Sequence, residues 1–116
     1  MAHKTLEAKL TDELLDWLKR KASEGAPLYW EHRSGSVGWS YKKGVPDLWV
    51  SANGHHLEIE LKAPDGKLSS AQEKFGWRCR SAWNIPHLVP RTLKEATDFI
   101  ESYLPGSSDE KASHKE

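Results

Sequence analysis

At 116 residues and 13.2 kDa the chain is long enough for one compact domain but not for two. Seventeen Lys and Arg balance seventeen Asp and Glu, which excludes both a uniformly basic nucleic-acid coat and a uniformly acidic mimic. The one cysteine, Cys79, excludes an internal disulfide and a cysteine-based zinc site, and it favours a reducing compartment. With neither a signal-peptide core nor a membrane-length apolar run in view, we expect a cytoplasmic protein with no membrane partner.

The first predicted element is an amphipathic helix over about residues 5–22. Its apolar residues recur at the spacing of one helix face: Leu6, Leu10, Leu14, Trp17 and Leu18. Glu7 falls within this stripe, where an acidic side chain usually needs a partner. Its place in the first turn, where the helix dipole favours an acid, explains it equally well. Both interpretations of Glu7 stay open.

Short strand-like segments follow the helix. Residues 28–32 predict a weak strand, and residues 36–41 predict a strand or an irregular loop. The clear strands are residues 45–51 and 56–62, because both are rich in apolar residues and the second alternates strictly. Asn53-Gly54 between them is a strong signal for a tight hairpin.

The second half of the chain predicts two helices around a short strand. Ser69 and Gln72 have the form of a capping box, and the helix that they open should present an inward face made of Ala71, Phe75, Cys79, Ala82 and Trp83. Residues 86–90 predict a strand and residues 92–104 a closing helix. We therefore expect one α/β domain over residues 1–104, a small mixed sheet flanked by helices in the order α-β-β-β-α-β-α, with a disordered polar tail over residues 105–116.

Three charged residues on the two clear strands could carry chemistry. Glu60 and Lys62 alternate onto one face of the second strand, and the hairpin can bring Asp47 of the first strand beside Glu60. Two carboxylates at such a short distance repel each other unless a cation lies between them, which favours a binding site for Mg²⁺ or Mn²⁺. Taken alone, alternating Glu and Lys is more often an exposed, solvated strand face. Gln72 is likewise either only a helix cap or an amide that reaches the same cleft.

These motifs together resemble a known family. Gly44-Val45-Pro46-Asp47, a hairpin, Glu60-Leu61-Lys62 and the Ser69-Ser70-Ala71-Gln72 helix start are similar to the PD-(D/E)XK nuclease superfamily. More narrowly, they resemble the small stand-alone VRR-NUC domains of phages and bacteria, over about residues 6–100. The resemblance implies a restriction-endonuclease-like core and a metal-dependent DNA endonuclease. It also implies a homodimer that acts on Holliday junctions or other branched DNA.

The same resemblance implies roles for individual residues. Asp47 and Glu60 would bind Mg²⁺ or Mn²⁺ together with the backbone carbonyl of Leu61, and Glu7 matches the acid of the family's first helix. Lys62 would position or activate water, and Gln72 matches the family's helix glutamine. No small-molecule cofactor beyond the metal is expected.

The neutral total charge hides a basic segment. Residues 61–94 carry seven Lys and Arg against two Asp and Glu. We expect DNA phosphates to be bound by a set of basic side chains: Lys42, Lys43, Lys67, Arg78 and Arg91. A solvated helix face explains Arg78 without DNA. Two rival functions remain, a non-catalytic nucleic-acid-binding module on the same fold and a protein-interaction domain.

Overall fold

The computed structural model describes residues 5–33 and 43–106, which build a four-stranded mixed sheet with helices on both faces. The elements are α1 (Leu6–Ser23), β1 (Leu28–His32), β2 (Leu48–Ala52), β3 (His55–Ile59), α2 (Ser70–Arg78), β4 (His87–Leu88) and α3 (Leu93–Glu101). Their order confirms the predicted α-β-β-β-α-β-α arrangement. The predictions for residues 36–41 and for the tail beyond residue 106 lie outside the described residues.

Helix α1 begins and packs as its sequence predicts, with one exception. The Thr5 hydroxyl accepts a hydrogen bond from the Ala8 amide at 3.0 Å and caps the helix. Leu10, Leu14 and Leu18 are buried on one face. Leu6, which the periodicity places on that face, is 60% exposed. It lies one turn before the first buried leucine, in the opening turn of the helix.

The sheet is ordered β1-β2-β3-β4, with β1, β2 and β3 antiparallel and β4 parallel to β3. Asn53 and Gly54 connect β2 to β3 with φ values of 52° and 86°, the left-handed pair that a type I′ hairpin requires. The chain continues to pair beyond β3, because the Glu60 amide donates to the Leu88 carbonyl at 2.9 Å. The predicted hairpin is confirmed, and it fixes the register of the two central strands.

Both faces of the central strands are covered. One face contributes alternating apolar side chains to a core shared with α1 and α3: Leu48, Val50, Ala52, Leu57, Ile59, Leu61, Ala96 and Ile100. On the other face the carboxylates of Glu58 and Glu60 are also buried, each only 4% exposed. The interpretation of this second face as an exposed charged surface is therefore wrong.

Helix α2 lies over that second face, and its end differs from the predicted continuous helix. After Arg78 the chain widens into a π-helical turn, Cys79–Trp83, so that Cys79 is buried while Ala82 and Trp83 are exposed. Gly76 is buried, and a Cβ atom at this position would lie only 2.6 Å from Cε1 of His87. Close packing of the helix on β4 therefore accounts for this glycine.

Helix α3 completes the apolar core. The Thr92 hydroxyl accepts from the Glu95 amide at 3.1 Å, which confirms the predicted cap. The regular helix ends at Glu101 rather than Leu104, although Leu104 is still buried. No helix among the described residues is long and apolar enough to cross a membrane.

Candidate active site

The sheet register places Asp47 opposite Glu60. Leu48 pairs with Ile59, so the next residues outward along the two chains are Asp47 and Glu60. Residues that stand opposite in an antiparallel pair share a face of the sheet, and Lys62 follows Glu60 on that face. Asp47 is exposed at its rim whereas Glu60 is buried. The three charged residues singled out in the sequence thus come together, as the hairpin predicts.

The Glu60 carboxyl group is strongly perturbed by this environment. Burial raises the pKa of Glu60 to about 7, and the neighbouring carboxylate of Asp47 adds to the rise. The Lys62 ammonium lowers the pKa of Glu60, whereas the carboxylate of Glu7 raises it further. Glu7 is half-buried in the first turn of α1. Three ionisable residues, Asp47, Lys62 and Glu7, therefore act on Glu60 at this point.

Gln72 joins helix α2 to this cluster. Its side-chain oxygen accepts from the Ser69 amide at 2.8 Å, while the Ser69 hydroxyl accepts from the Gln72 amide at 3.1 Å, which completes the capping box. Its side-chain nitrogen donates to Oε2 of Glu60 at 3.1 Å. The two interpretations of Gln72 are thus compatible, because opposite ends of one amide cap the helix and orient the buried carboxylate.

A second buried cluster, which the sequence interpretation missed, lies next to the first. Nη1 and Nη2 of Arg33 each donate to a Glu58 oxygen at 2.9 Å, and Nε2 of His56 lies 2.6 Å from Oε2 of the same carboxylate. The His56 ring also stacks on Trp49, with centroids 4.6 Å apart. His56 is an exposed residue, and its ring lies over the buried Arg33–Glu58 pair.

Arg33 also holds the backbone on both sides of Asp47. Its Nη1 donates to the Pro46 carbonyl at 2.7 Å, and its amide donates to the Asp47 carbonyl at 2.5 Å. Because Glu58 anchors the same guanidinium, Arg33 fixes the position of Asp47 relative to the strand that carries Glu60. The signal for this cluster was the place of Glu58 on the face of Glu60, where a buried acid needs a cationic partner.

The donor set suits a hard divalent cation. Carboxylate oxygens are preferred ligands of Mg²⁺ and Mn²⁺, and Mg²⁺ commonly uses one or two carboxylates with water and substrate phosphate completing its shell. Among residues 5–33 and 43–106, no three His, Cys, Asp or Glu side chains converge closely enough for a complete metal site. Asp47 and Glu60 fit a metal of this open kind. Leu61, whose carbonyl is the other expected ligand, directly follows Glu60 in the chain, and its side chain belongs to the apolar core.

The basic residues expected at DNA fall into distinct groups. Lys43 and Arg78 line one cleft beside α2, and Lys67 is exposed on the turn before this helix. Arg91 has another role, since its Nη1 donates to the carbonyls of Ala63 and Gly66 at 2.8 and 2.6 Å and ties down the turn after Lys62. That role accounts for Arg91 without DNA. Lys42 lies outside the described residues.

Two solved structures share this fold. One, described as a VRR_NUC domain protein, aligns over 88% of this chain and 90% of its own, with a TM-score of 0.69 and 22% sequence identity. Another, described as a VRR_NUC domain, aligns over 86% of this chain and 99% of its own, with a TM-score of 0.62 and 20% identity. No protein-family model and no curated protein matches the sequence. The chain has the fold of a VRR-NUC domain, as its motifs predict.

Proposed function

We propose that this VRR-NUC fold is a metal-dependent DNA endonuclease that hydrolyses phosphodiester bonds. The observation that carries the proposal is the buried Glu60, which faces Asp47 across the sheet, has Lys62 on the same face and accepts a hydrogen bond from Gln72. A titratable group so strongly perturbed by burial and by named charges is typical of functional sites. Glu60 is not part of the apolar core, which lies on the opposite face of the sheet, so core packing does not explain a carboxylate at this position.

Asp47 and Glu60 would hold Mg²⁺ or Mn²⁺, with the Leu61 carbonyl as a further ligand that the resemblance implies. Glu7, the other ligand implied by the resemblance, is near enough to raise the pKa of Glu60 but forms no three-carboxylate group with Asp47 and Glu60. Such a cation supplies Lewis acidity toward a phosphate and makes water more acidic at neutral pH. It would also relieve the repulsion between Asp47 and Glu60, which contributes to the raised pKa of Glu60.

The protein's own residues then divide the remaining tasks. The Lys62 ammonium would orient the attacking water and donate to a phosphate oxygen as negative charge develops there. Gln72 would keep the Glu60 carboxylate in one orientation, because its other end is fixed by the helix cap. Arg33 would hold Asp47 in place through the Pro46 and Asp47 carbonyls.

The finer proposal is that the substrate is branched DNA, with Holliday junctions foremost, and that the protein acts as a homodimer. The resemblance to stand-alone VRR-NUC domains supports it, as does the positive charge concentrated in residues 61–94. A two-fold dimer would present one site to each of two strands. Paired incisions on a symmetric junction are the expected product.

A cleavage assay tests the function directly. Labelled four-way junction, flap and linear duplex DNA are incubated with the protein in Mg²⁺, Mn²⁺ or EDTA. Symmetric nicks across the junction that disappear in EDTA would support a dimeric junction nuclease. Equal cutting of all three substrates would keep the nuclease and reject the junction preference. Tight DNA binding without cleavage in either metal would favour the non-catalytic binding module.

The variant Lys62→Ala separates chemistry from binding. We expect its cleavage rate to fall by about a hundredfold or more, because a positioned charge at the reacting phosphate is lost. Its affinities for DNA and for Mn²⁺ should change little, as fluorescence anisotropy and calorimetry would measure. Lys19→Ala, which removes an exposed lysine on α1, is the matched control. Undiminished cleavage by Lys62→Ala would reject this role of Lys62.

A further inference from the structure

A cleft of about 440 Å³ lies between the segment that leads into Asp47 and helix α2. Its volume falls in the range of about 300–1,000 Å³ found for small-molecule pockets. Three cationic side chains and two aromatic rings contribute to its described lining, with no acidic residue among them: Lys43, Lys74, Arg78, Phe75 and Trp83. We call it the aromatic cleft. Cations around ring faces are the combination that binds nucleotides, since the cations bind phosphate and the rings stack on a base.

The aromatic cleft adjoins the candidate active site. Gly44, with φ +86°, lies so close to α2 that a Cβ atom there would collide with the Ala71 carbonyl. This contact fixes the segment before Asp47 against the first turn of α2, and Gln72 is the next residue of that turn. Lys43 and Ala71 line the cleft, so it adjoins both the segment that leads to Asp47 and the helix turn that carries Gln72.

Trp83 is held in an unusual position for so large an apolar side chain. It is 47% exposed, although its ring packs edge-on against Phe75 with centroids 5.5 Å apart and planes at 69°. In a regular α-helix a residue eight positions after Phe75 would lie about 80° around the axis from it. The wider π turn reduces that offset and aligns the two rings. Such π segments occur frequently at functional sites.

We propose that the aromatic cleft binds one unpaired nucleotide next to the cleaved bond, with its base stacked on Trp83 and its phosphates contacted by Lys43, Lys74 and Arg78. The inference rests on the proposed nuclease activity, and it favours DNA that carries an unpaired base beside the cut, such as a flap, over a fully paired four-way junction. Bases within an intact duplex are already stacked on their neighbours, so they cannot enter the cleft without being unstacked at a cost.

The test compares three DNA ligands in EDTA, where binding is measured without cleavage. They are a duplex, the same duplex with one unpaired nucleotide, and a third in which an abasic residue replaces that nucleotide. Base stacking on tryptophan should make the unpaired nucleotide bind about tenfold tighter than the abasic one. With 2-aminopurine at that position, binding should also quench its fluorescence.

Variants assign the effect to the aromatic cleft. Trp83→Ala should abolish both the tenfold preference and the quenching, whereas Trp83→Phe keeps an aromatic face and should retain most of each. Trp77→Ala is the matched control, because Trp77 is 62% exposed on the same helix but does not line the cleft. Thermal melting verifies that each variant is folded.

The outcomes separate this inference from the nuclease proposal. Equal affinity of the wild-type protein for the unpaired and abasic ligands overturns the proposal that the aromatic cleft binds a base. Metal-dependent cleavage would then still support the nuclease. A preference that survives in Trp83→Ala also overturns it, because the base would be bound elsewhere. A preference that depends on Trp83, without cleavage in either metal, supports the cleft and overturns the nuclease.

Discussion

Glu60 is the residue whose charge conflicts most with its surroundings. Its side chain is buried, it faces Asp47, and its pKa is raised from an ordinary 4.5 to about 7. Below pH 4.5 it is neutral in both the folded and the unfolded chain. Between pH 4.5 and 7 the unfolded chain loses the proton while the folded protein retains it. Without metal, the stability associated with this group is therefore present at low pH and lost as the pH rises through 7.

The substitution Glu60→Gln tests this linkage. An amide keeps the shape of the side chain and carries no charge at any pH, so the variant should gain stability relative to the wild type as the pH is raised from 4.5 to 8. The measurement is the difference in free energy of unfolding between the two proteins, by urea denaturation in EDTA. Glu73→Gln, which removes an exposed carboxylate from α2, is the matched control. A difference that is flat with pH would contradict the raised pKa.

At the scale of single residues, the sequence predicted the cluster around Glu60 but not the cluster around Glu58. Strict alternation identified the face of Glu60 and Lys62, and the hairpin register brought Asp47 to it. The partner of Glu58 could not be predicted, because Arg33 lies 25 positions away in the chain, directly after the weakly predicted strand β1. Nothing in local periodicity distinguishes an arginine that clamps a backbone turn from one that faces solvent.

At the scale of elements, the contact between the segment before β2 and helix α2 decides whether the site assembles. Gly44 and Gly54 both have φ of +86°, but only at Gly44 would an added Cβ atom meet another part of the chain, the Ala71 carbonyl. The two glycines thus form a natural matched pair. Gly44 combines a left-handed backbone conformation with a close approach to Ala71, whereas Gly54 has the left-handed conformation alone.

Replacing each glycine by alanine should separate these two effects. Gly54→Ala should cost about 1–2 kcal/mol in unfolding free energy, the penalty of a left-handed alanine. Gly44→Ala adds a collision with backbone that cannot rotate away, so we expect about 2–5 kcal/mol in total. Urea denaturation measures both. Equal losses for the two variants would mean that the approach to Ala71 is not tight.

The π turn marks the limit of prediction at this scale. The capping box set the start of α2 correctly, because its side chains act within one turn of the helix. The end of the helix depends instead on the burial of Cys79 and on the ring contact between Trp83 and Phe75, neither of which a regular helical period contains. A periodic pattern assumes one constant turn angle, so it placed Ala82 and Trp83 on the inward face although both are exposed.

For the whole molecule, the order of the elements was predictable although the net charge carried little information. Helix periodicity, one hairpin signal and two caps were enough to give the order α-β-β-β-α-β-α. The zero total charge conceals an uneven distribution, because Lys43, Lys74 and Arg78 gather at one cleft while Arg91 is taken up by a turn. The surface proposed to contact DNA therefore follows from the tertiary fold and not from the composition.

The salt dependence of DNA binding measures this distribution. Each cation that neutralises a phosphate contributes about one unit to the slope of the logarithm of affinity against the logarithm of salt concentration. We expect Lys43→Ala and Arg78→Ala each to reduce the magnitude of this slope by about one unit, and the double variant by about two. The two effects should add because the two side chains would contact different phosphates. Lys19→Ala, on the exposed side of α1, should leave the slope unchanged. An unchanged slope in the double variant would place the DNA on another face and remove the support that this charge distribution gives to the nuclease.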